Sequence, residues 1–435
     1  MPDGRAEVSR AVDRRVALAR EWDALVRQVR ELDGFGDFLR PPQPSSLLPA
    51  AAHGPVVMVN LSQWRCDALI VTADGVRAVP LPGVTLTAVA ERTGGYLRVL
   101  RAVDQAVHDL YAARERYDDG DHTPEAIRRY TGAKLALNRA AETREATLTE
   151  LLAWLWDEIA APVLADLRLT APVAEGTPWP RLWWCPTGLL TLLPMHAAGH
   201  HDGTGRAVID RAISSYTPSL RALRAARRPL DPNPGDERML VVALERTTGT
   251  TPLTDVARER DLLASLFSSR ATLLEGEAAT TGAVRAELPR HRWAHFCCHG
   301  GQDLAAPSQG GLLLHDRVLT IADISADLSA EPYRGEFAFL SACMTATGGV
   351  DLPDEAITLA AALHHTGYRQ VIGTLWSVYD DLAADVAEAV YADLTASGRF
   401  EPGRAAHALH RAVHGLRDAR GLPPSAWTPF VHLGP

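Results

Sequence analysis

Short apolar runs bounded by polar turns fill the second half of the chain: MLVVAL, ATLLEG, WAHFCCHG, GGLLLHD, GEFAFLSAC and RQVIGTLW. Runs of that length without polar alternation are the pattern of strands buried on both faces. Spans with helical spacing separate several of them, at 255–268, 281–289 and 354–366. Strands alternating with helices predict a parallel α/β sheet with helices on its faces. In such sheets chemistry collects beyond the carboxyl ends of the strands.

The first half is less regular. PVVMVNLS and CDALIVTADGVRAVPLP predict strands around a turn at Asp74-Gly75, and RLWWCP predicts a further buried strand. From Glu91 to Leu167 the spacing is helical, with one break at DDGDHTPE. Residues 5–32 combine helical spacing with dense charge of both signs, the pattern of an exposed helix, and LRPPQPSS ends it. Three prolines and charge in RPLDPNPGDER, 228–238, mark a linker. The organisation expected is a helix and linker over 1–45, a first α/β half over 46–235 with a helical insertion at about 91–167, and a second half over 236–435.

Composition narrows the function classes. Hydrophobic residues at 46% and charged residues at 22% are ordinary for a soluble globular protein. The net charge is −9 and the arginines are dispersed, which argues against nucleic acid as a partner. No stretch approaches ~18 continuous apolar residues, so no membrane span is expected. Five cysteines without a CxxC pair suit reduced thiols and a cytoplasmic setting better than a disulfide framework. The charged start of the chain lacks the apolar centre of a signal peptide.

Candidate chemistry sits in two strand ends. Within RWAHFCCHGGQD, alternation points His295, Cys297 and His299 one way and Phe296 and Cys298 the other. Only His299 stands at the carboxyl end, beside Gly300 and Gly301; Cys297 and Cys298 lie deeper, where a free cysteine acts as a small hydrophobe. A zinc set of His295, Cys297, His299 and His315 matches none of the common ligand spacings. The run EFAFLSAC ends in Cys343 and opens into MTATGGVDLPDE, a polar loop carrying Asp351 and Asp354. A thiol and an imidazole on neighbouring strand ends have the geometry of a Cys–His dyad. Neither a metal nor an organic cofactor is needed for that chemistry.

HFCCHG, FLSACMT, LPDEAITLAAALHHTGYRQVIGTLWSVYDD and WTPFVHLG resemble the CHAT domain family of caspase-like cysteine proteases related to separase. DFLRPPQPSSLLPAAAHGPVVMVNLSQWRCDALIV, RLWWCPTGLLTLLPMHAAG and SSYTPSLRAL in the first half resemble it too. The resemblance implies a caspase-like three-layer α/β sandwich of two halves, an inactive amino-terminal one and an active carboxyl-terminal one. It implies His299 as the catalytic histidine, Cys343 as the nucleophile, and the backbone N–H groups of Gly300 and Cys343 as oxyanion donors. GTLWSVYDD is similar to the separase segment whose acid receives a basic side chain, which makes Asp380 the specificity acid and Trp376 a pocket wall, with Asp351 and Asp354 as further substrate contacts. The implied activity is a cysteine endopeptidase acting on a protein substrate, switched by a regulatory or sensor protein in a bacterial defence or cell-death module. The competing expectation is a silent or latent scaffold of the same fold. For Asp380 the competing expectation is the cap of the helix it opens.

Overall fold

The computed structural model describes the chain except residues 1–2, 34, 37, 41, 121, 230–236, 248–249, 304–305, 328–334, 343–344 and 347–357; of residues 3–13 it describes the backbone alone. The chain divides into two units, 1–49 and 50–435. The first contains helix α1 (Asp3–Arg30), close to the span expected at 5–32. No described helix is long and apolar enough to cross a membrane.

The second unit is organised by one sheet of eleven described strands, in the order β3-β2-β1-β4-β5-β14-β13-β12-β8-β6-β7. These are β1 (Val56–Asn60), β2 (Asp67–Thr72), β3 (Gly75–Pro80), β4 (Arg181–Pro186), β5 (Ile213–Tyr216), β6 (Met239–Ala243), β7 (Ala271–Glu275), β8 (Trp293–Cys297), β12 (Phe337–Ser341), β13 (Gln370–Thr374) and β14 (Phe430–Leu433). β9 (Gly300–Gly301), β10 (Gly311–Leu313) and β11 (Val318–Thr320) form a separate antiparallel sheet. GGLLLHD thus leaves the main sheet, as a ribbon folded back on the His-Gly end of β8. Strands β6, β8, β13 and β14 are buried at every position. Continuous burial accounts for their unbroken apolar runs and requires cover on both faces.

Within 86–166 the helical pattern resolves into α2 (Leu86–Asp118) and α3 (Pro124–Leu155), followed by shorter helical turns to Asp166. The break falls at DDGDHTPE for identifiable reasons. Gly120 takes a positive φ of 98°, the Thr123 hydroxyl accepts the Ala126 N–H at 3.3 Å, and Pro124 opens the next helix.

Among the helices described in the second half are α4 (Val256–Phe267), α5 (Leu359–Thr366), α6 (Asp380–Leu394) and α7 (Ala405–His414), and a shorter one, Thr281–Glu287, falls within the span expected at 281–289. The strand register aligns His295, Phe339 and Ile372 across β8, β12 and β13. That row faces α4 and α6, because His295 meets Glu259 of the first and Tyr391 of the second. Arg258 ties the two helices together, bonding Glu388 at 2.6 Å and Asp385 at 2.7 Å. On the opposite face Gly373 lets the chain that follows β12 approach; a Cβ there would stand 2.8 Å from the Thr345 hydroxyl and 3.6 Å from the Ala360 methyl of α5. The expected linker at 228–238 lies largely outside the described residues.

Candidate active site

Parallel strands β8 and β12 are neighbours, pairing Cys297 with Ser341, so the chain leaves both at one edge. His299 follows the first and Ala342 the second. Thr374, at the same end of β13, secures the second exit: its hydroxyl donates to the Ala342 carbonyl at 2.7 Å and its N–H to the Thr345 hydroxyl at 3.0 Å. Its own carbonyl accepts the Ala346 N–H at 2.8 Å. The chain on either side of positions 343–344 is therefore fastened to a single residue. Thr374, Ser341, Ala342 and His299 line one cavity, with Asp380, Glu259 and Phe430. Its enclosed part measures about 30 Å³, room for about one water molecule.

The segment leading into α4 organises the other wall. His299 Nε2 lies 2.7 Å from the Thr251 carbonyl oxygen. A carbonyl only accepts, so Nε2 carries a hydrogen, and in the neutral ring the lone pair is then on Nδ1. Three residues on, the Thr254 N–H donates to Asp380 at 2.9 Å. Asp380 opens α6, and neither end-group geometry nor a side-chain bond makes it that helix's cap. Its carboxylate spans instead to the entry of α4. Burial pushes this carboxyl up, against the Thr254 bond and the nearby His299 imidazole.

Beneath the cavity runs a buried chain of polar groups. The Ser341 hydroxyl donates to Glu259 at 2.9 Å, Glu259 bonds His295 Nε2 at 2.8 Å, and His295 Nδ1 bonds the Tyr391 hydroxyl at 3.0 Å. Glu259 is 4% exposed and His295 fully buried. Donor atoms of Glu259, His295 and Cys297 lie within 4.8 Å of one another. Both ring nitrogens of His295 are already bonded, so the group is satisfied as it stands. Burial, then the Glu259 charge, pushes the Cys297 thiol well up, which keeps it protonated and unreactive.

The structure brings His299 and Asp380 together and separates Trp376 from them. Trp376 is 3% exposed and does not line the cavity. Its ring meets Tyr96 of α2 edge-on at 5.7 Å, and its N–H points to the Ser425 carbonyl at 3.4 Å. The reason is the strand-end geometry: Thr374, Val378 and Asp380 face the cavity, and the indole between them is turned into the core. Gly300 pairs with Leu312, and the bond from the Leu313 N–H to the His299 carbonyl, 2.8 Å, marks 299/313 as the hydrogen-bonded pair. The N–H of Gly300 consequently points away from β10. His315 is exposed and apart from the cavity. Cys343, Asp351 and Asp354 lie outside the described residues.

Two participants had no signal in the sequence. Thr251 acts through a backbone oxygen, which any residue type supplies. Glu259 is one of several charged residues in VARERDLLASLF, and only the packing of α4 reveals which of them is buried.

The family model for the CHAT domain matches residues 149–435. A comparison with curated proteins finds no match. The fold is similar to that of the Saccharomyces cerevisiae separase–securin complex in a 2.6 Å crystal structure, at a TM-score of 0.56 and 11% identity, covering 90% of this chain and 31% of that one. A 3.0 Å structure of the same complex gives 0.56 and 10%, covering 90% and 30%. The Arg-specific cysteine proteinase gingipain R is similar at a TM-score of 0.43 and 10% identity, covering 67% and 75%. The chain spans about a third of the separase-complex chains it resembles. The expected fold class stands: a caspase-like α/β sandwich built on one large sheet.

Proposed function

The chain belongs to the CHAT domain family, and on that footing we propose that it is a cysteine endopeptidase working through His299 and Cys343. In this reading the Cys343 thiol passes its proton to His299 Nδ1 and the sulfur adds to the scissile carbonyl carbon. Backbone N–H groups, that of Gly300 among them, stabilise the oxyanion. On collapse of this intermediate the C–N bond breaks, and the leaving amine takes the proton from Nδ1. Water then adds to the acyl-enzyme, giving its proton to His299, and the thiol leaves with that proton restored. The observation that carries the reading is the tethering of Ala342 and Thr345 to Thr374 beside a histidine whose Nε2–H is held by the Thr251 carbonyl. That bond orients the imidazole and stabilises the imidazolium that forms in the first step.

Asp380 is the acid that favours cleavage after Arg or Lys. Its carboxylate stands in the same cavity as His299, and Asp380→Asn is expected to lower kcat/KM for a basic substrate roughly tenfold while sparing a neutral one. Asp351 and Asp354 belong to the loop that follows Cys343 and are proposed to contact the substrate beyond the cut bond. The substrate is a protein, and the context is a bacterial defence or cell-death module in a reducing cytoplasm, where a regulatory partner opens the site. The narrowness of the cavity, whose lining includes Leu253 and Val378, favours a second reading, a latent protease or scaffold awaiting that partner, because seating a side chain requires the cavity to widen. Profiling of new protein amino termini in cells with the wild-type chain and with Cys343→Ala tests the proposal. Cleavages present only with the wild type, clustered after basic residues, are expected; identical profiles overturn it.

A further inference from the structure

The buried acid beneath the cavity, Glu259, has assignable donors. Tyr391 is fully buried, and among the described residues its hydroxyl has one side-chain partner, His295 Nδ1. A buried O–H needs an acceptor, so the phenol donates and Nδ1 accepts. His295 is then neutral, with its hydrogen on Nε2 directed at Glu259. The Ser341 hydroxyl supplies Glu259 with a second neutral donor. Glu259 therefore accepts from two neutral donors, and no Lys or Arg side chain is bonded to it among the described residues.

Nearby cations do not compensate for it. Arg258 is engaged with Asp385 and Glu388, and Arg260 with Asp261 and Glu275. No Lys or Arg lines the cavity among the described residues. Residues 343–357 contain neither in their sequence. An ionised carboxylate taken out of water without a counter-ion is costly, and a cation brought beside it recovers part of that cost. The charge is felt across the cavity, since Glu259 helps push up the Asp380 carboxyl.

We propose that Glu259 is a specificity-determining residue, the buried charge that reads a guanidinium or ammonium group seated in the His299 cavity, with Asp380 at the outer wall. This rests on the protease reading for its biological use but not for its test. Equilibrium binding is measured on the full chain carrying Cys343→Ala, so turnover plays no part. The ligands are agmatine, a guanidinium cation, and butylurea, a neutral analogue of similar shape. The parent chain is expected to bind agmatine roughly tenfold or more tightly than butylurea, and Glu259→Gln, which keeps the size and hydrogen-bonding reach of the side chain, is expected to bring the two within about threefold. Equal binding of the two ligands by the parent chain, or no saturable binding of agmatine, overturns the proposal without any variant. An undiminished preference in a folded Glu259→Gln chain overturns it as well. Loss of the protease reading would show instead as absence of Cys343-dependent cleavage, with these affinities unchanged.

Discussion

Cys185 and Cys343 fall in the sequence near the carboxyl ends of two parallel strands, one in each half, and the described surroundings of those two strand ends have little in common. Cys185 ends β4 beside an apolar cavity of about 150 Å³ lined by Met58, Pro218, Leu375 and Val431. Its thiol points to the Pro218 carbonyl at 3.7 Å, and burial pushes it up to about 12. Cys343 follows the end of β12, where the flanking chain meets His299, Asp380 and Glu259. Position at a strand end is shared; an imidazole and acids are not. The difference comes from three elements: β8 leads into His299, α6 opens with Asp380, and α4 with the segment before it holds both. In the second half, α4 and the segment before it supply Thr251, Thr254 and Glu259 to the strand ends, whereas the chain between β1 and β4 runs through an antiparallel strand pair and the α2–α3 hairpin and, among the described residues, brings no such group to the cavity beside Cys185.

The sharpest way to break this contrast is to remove each sulfur in turn. Cys343→Ala is expected to lower peptide cleavage on the order of 10⁴-fold or more, and Cys185→Ala to leave it within about twofold, measured as kcat/KM on an Arg-containing peptide. Equal losses would make the two strand ends equivalent. A smaller effect is expected from the base: His299→Ala should slow cleavage roughly 10²–10⁴-fold, and the lost rate should not return with added reductant.

The elements themselves were largely legible. Strands such as Met239–Ala243 and Trp293–Cys297 announce themselves because burial on both faces writes an uninterrupted apolar run, and the α2–α3 break is written in Gly120, Thr123 and Pro124. Ile213–Tyr216 and Phe430–Leu433 are four-residue strands whose serines or histidine blur the pattern; only their setting between longer strands makes them part of the sheet. At the site, His299 was legible from its place beside two glycines. Trp376 was not, because a strand end does not say which of its residues turns back into the core. Glu259 and the Thr251 carbonyl were invisible for the same reason: tertiary packing selects them.

The least of the expected effects lies between the halves. β5, β14 and α7 enclose a second cavity containing His196, His410 and His432. Burial holds His196 down to about 4 and His410 to about 3, and His432 well below its ordinary value. Well above pH 6.5 these groups are neutral whether folded or not, and they leave stability nearly independent of pH. As pH falls from 6.5 toward 4 the unfolded chain takes up protons that the folded chain refuses, so stability falls. Thermal unfolding should show a melting temperature that is flat from pH 8 to 7 and lower by several degrees at pH 5. His410→Gln should reduce that drop without altering cleavage at neutral pH.

The central claim is that the sulfur at 343 and the imidazole at 299 act as a pair. Its most direct test is alkylation of the full chain by a peptidyl acyloxymethyl ketone ending in arginine, with the modified residue mapped by mass spectrometry. The account predicts modification at Cys343 alone, slowed at least tenfold by His299→Ala. Modification at Cys185, Cys297 or Cys298, or an unchanged rate at Cys343 in the His299 variant, would contradict it.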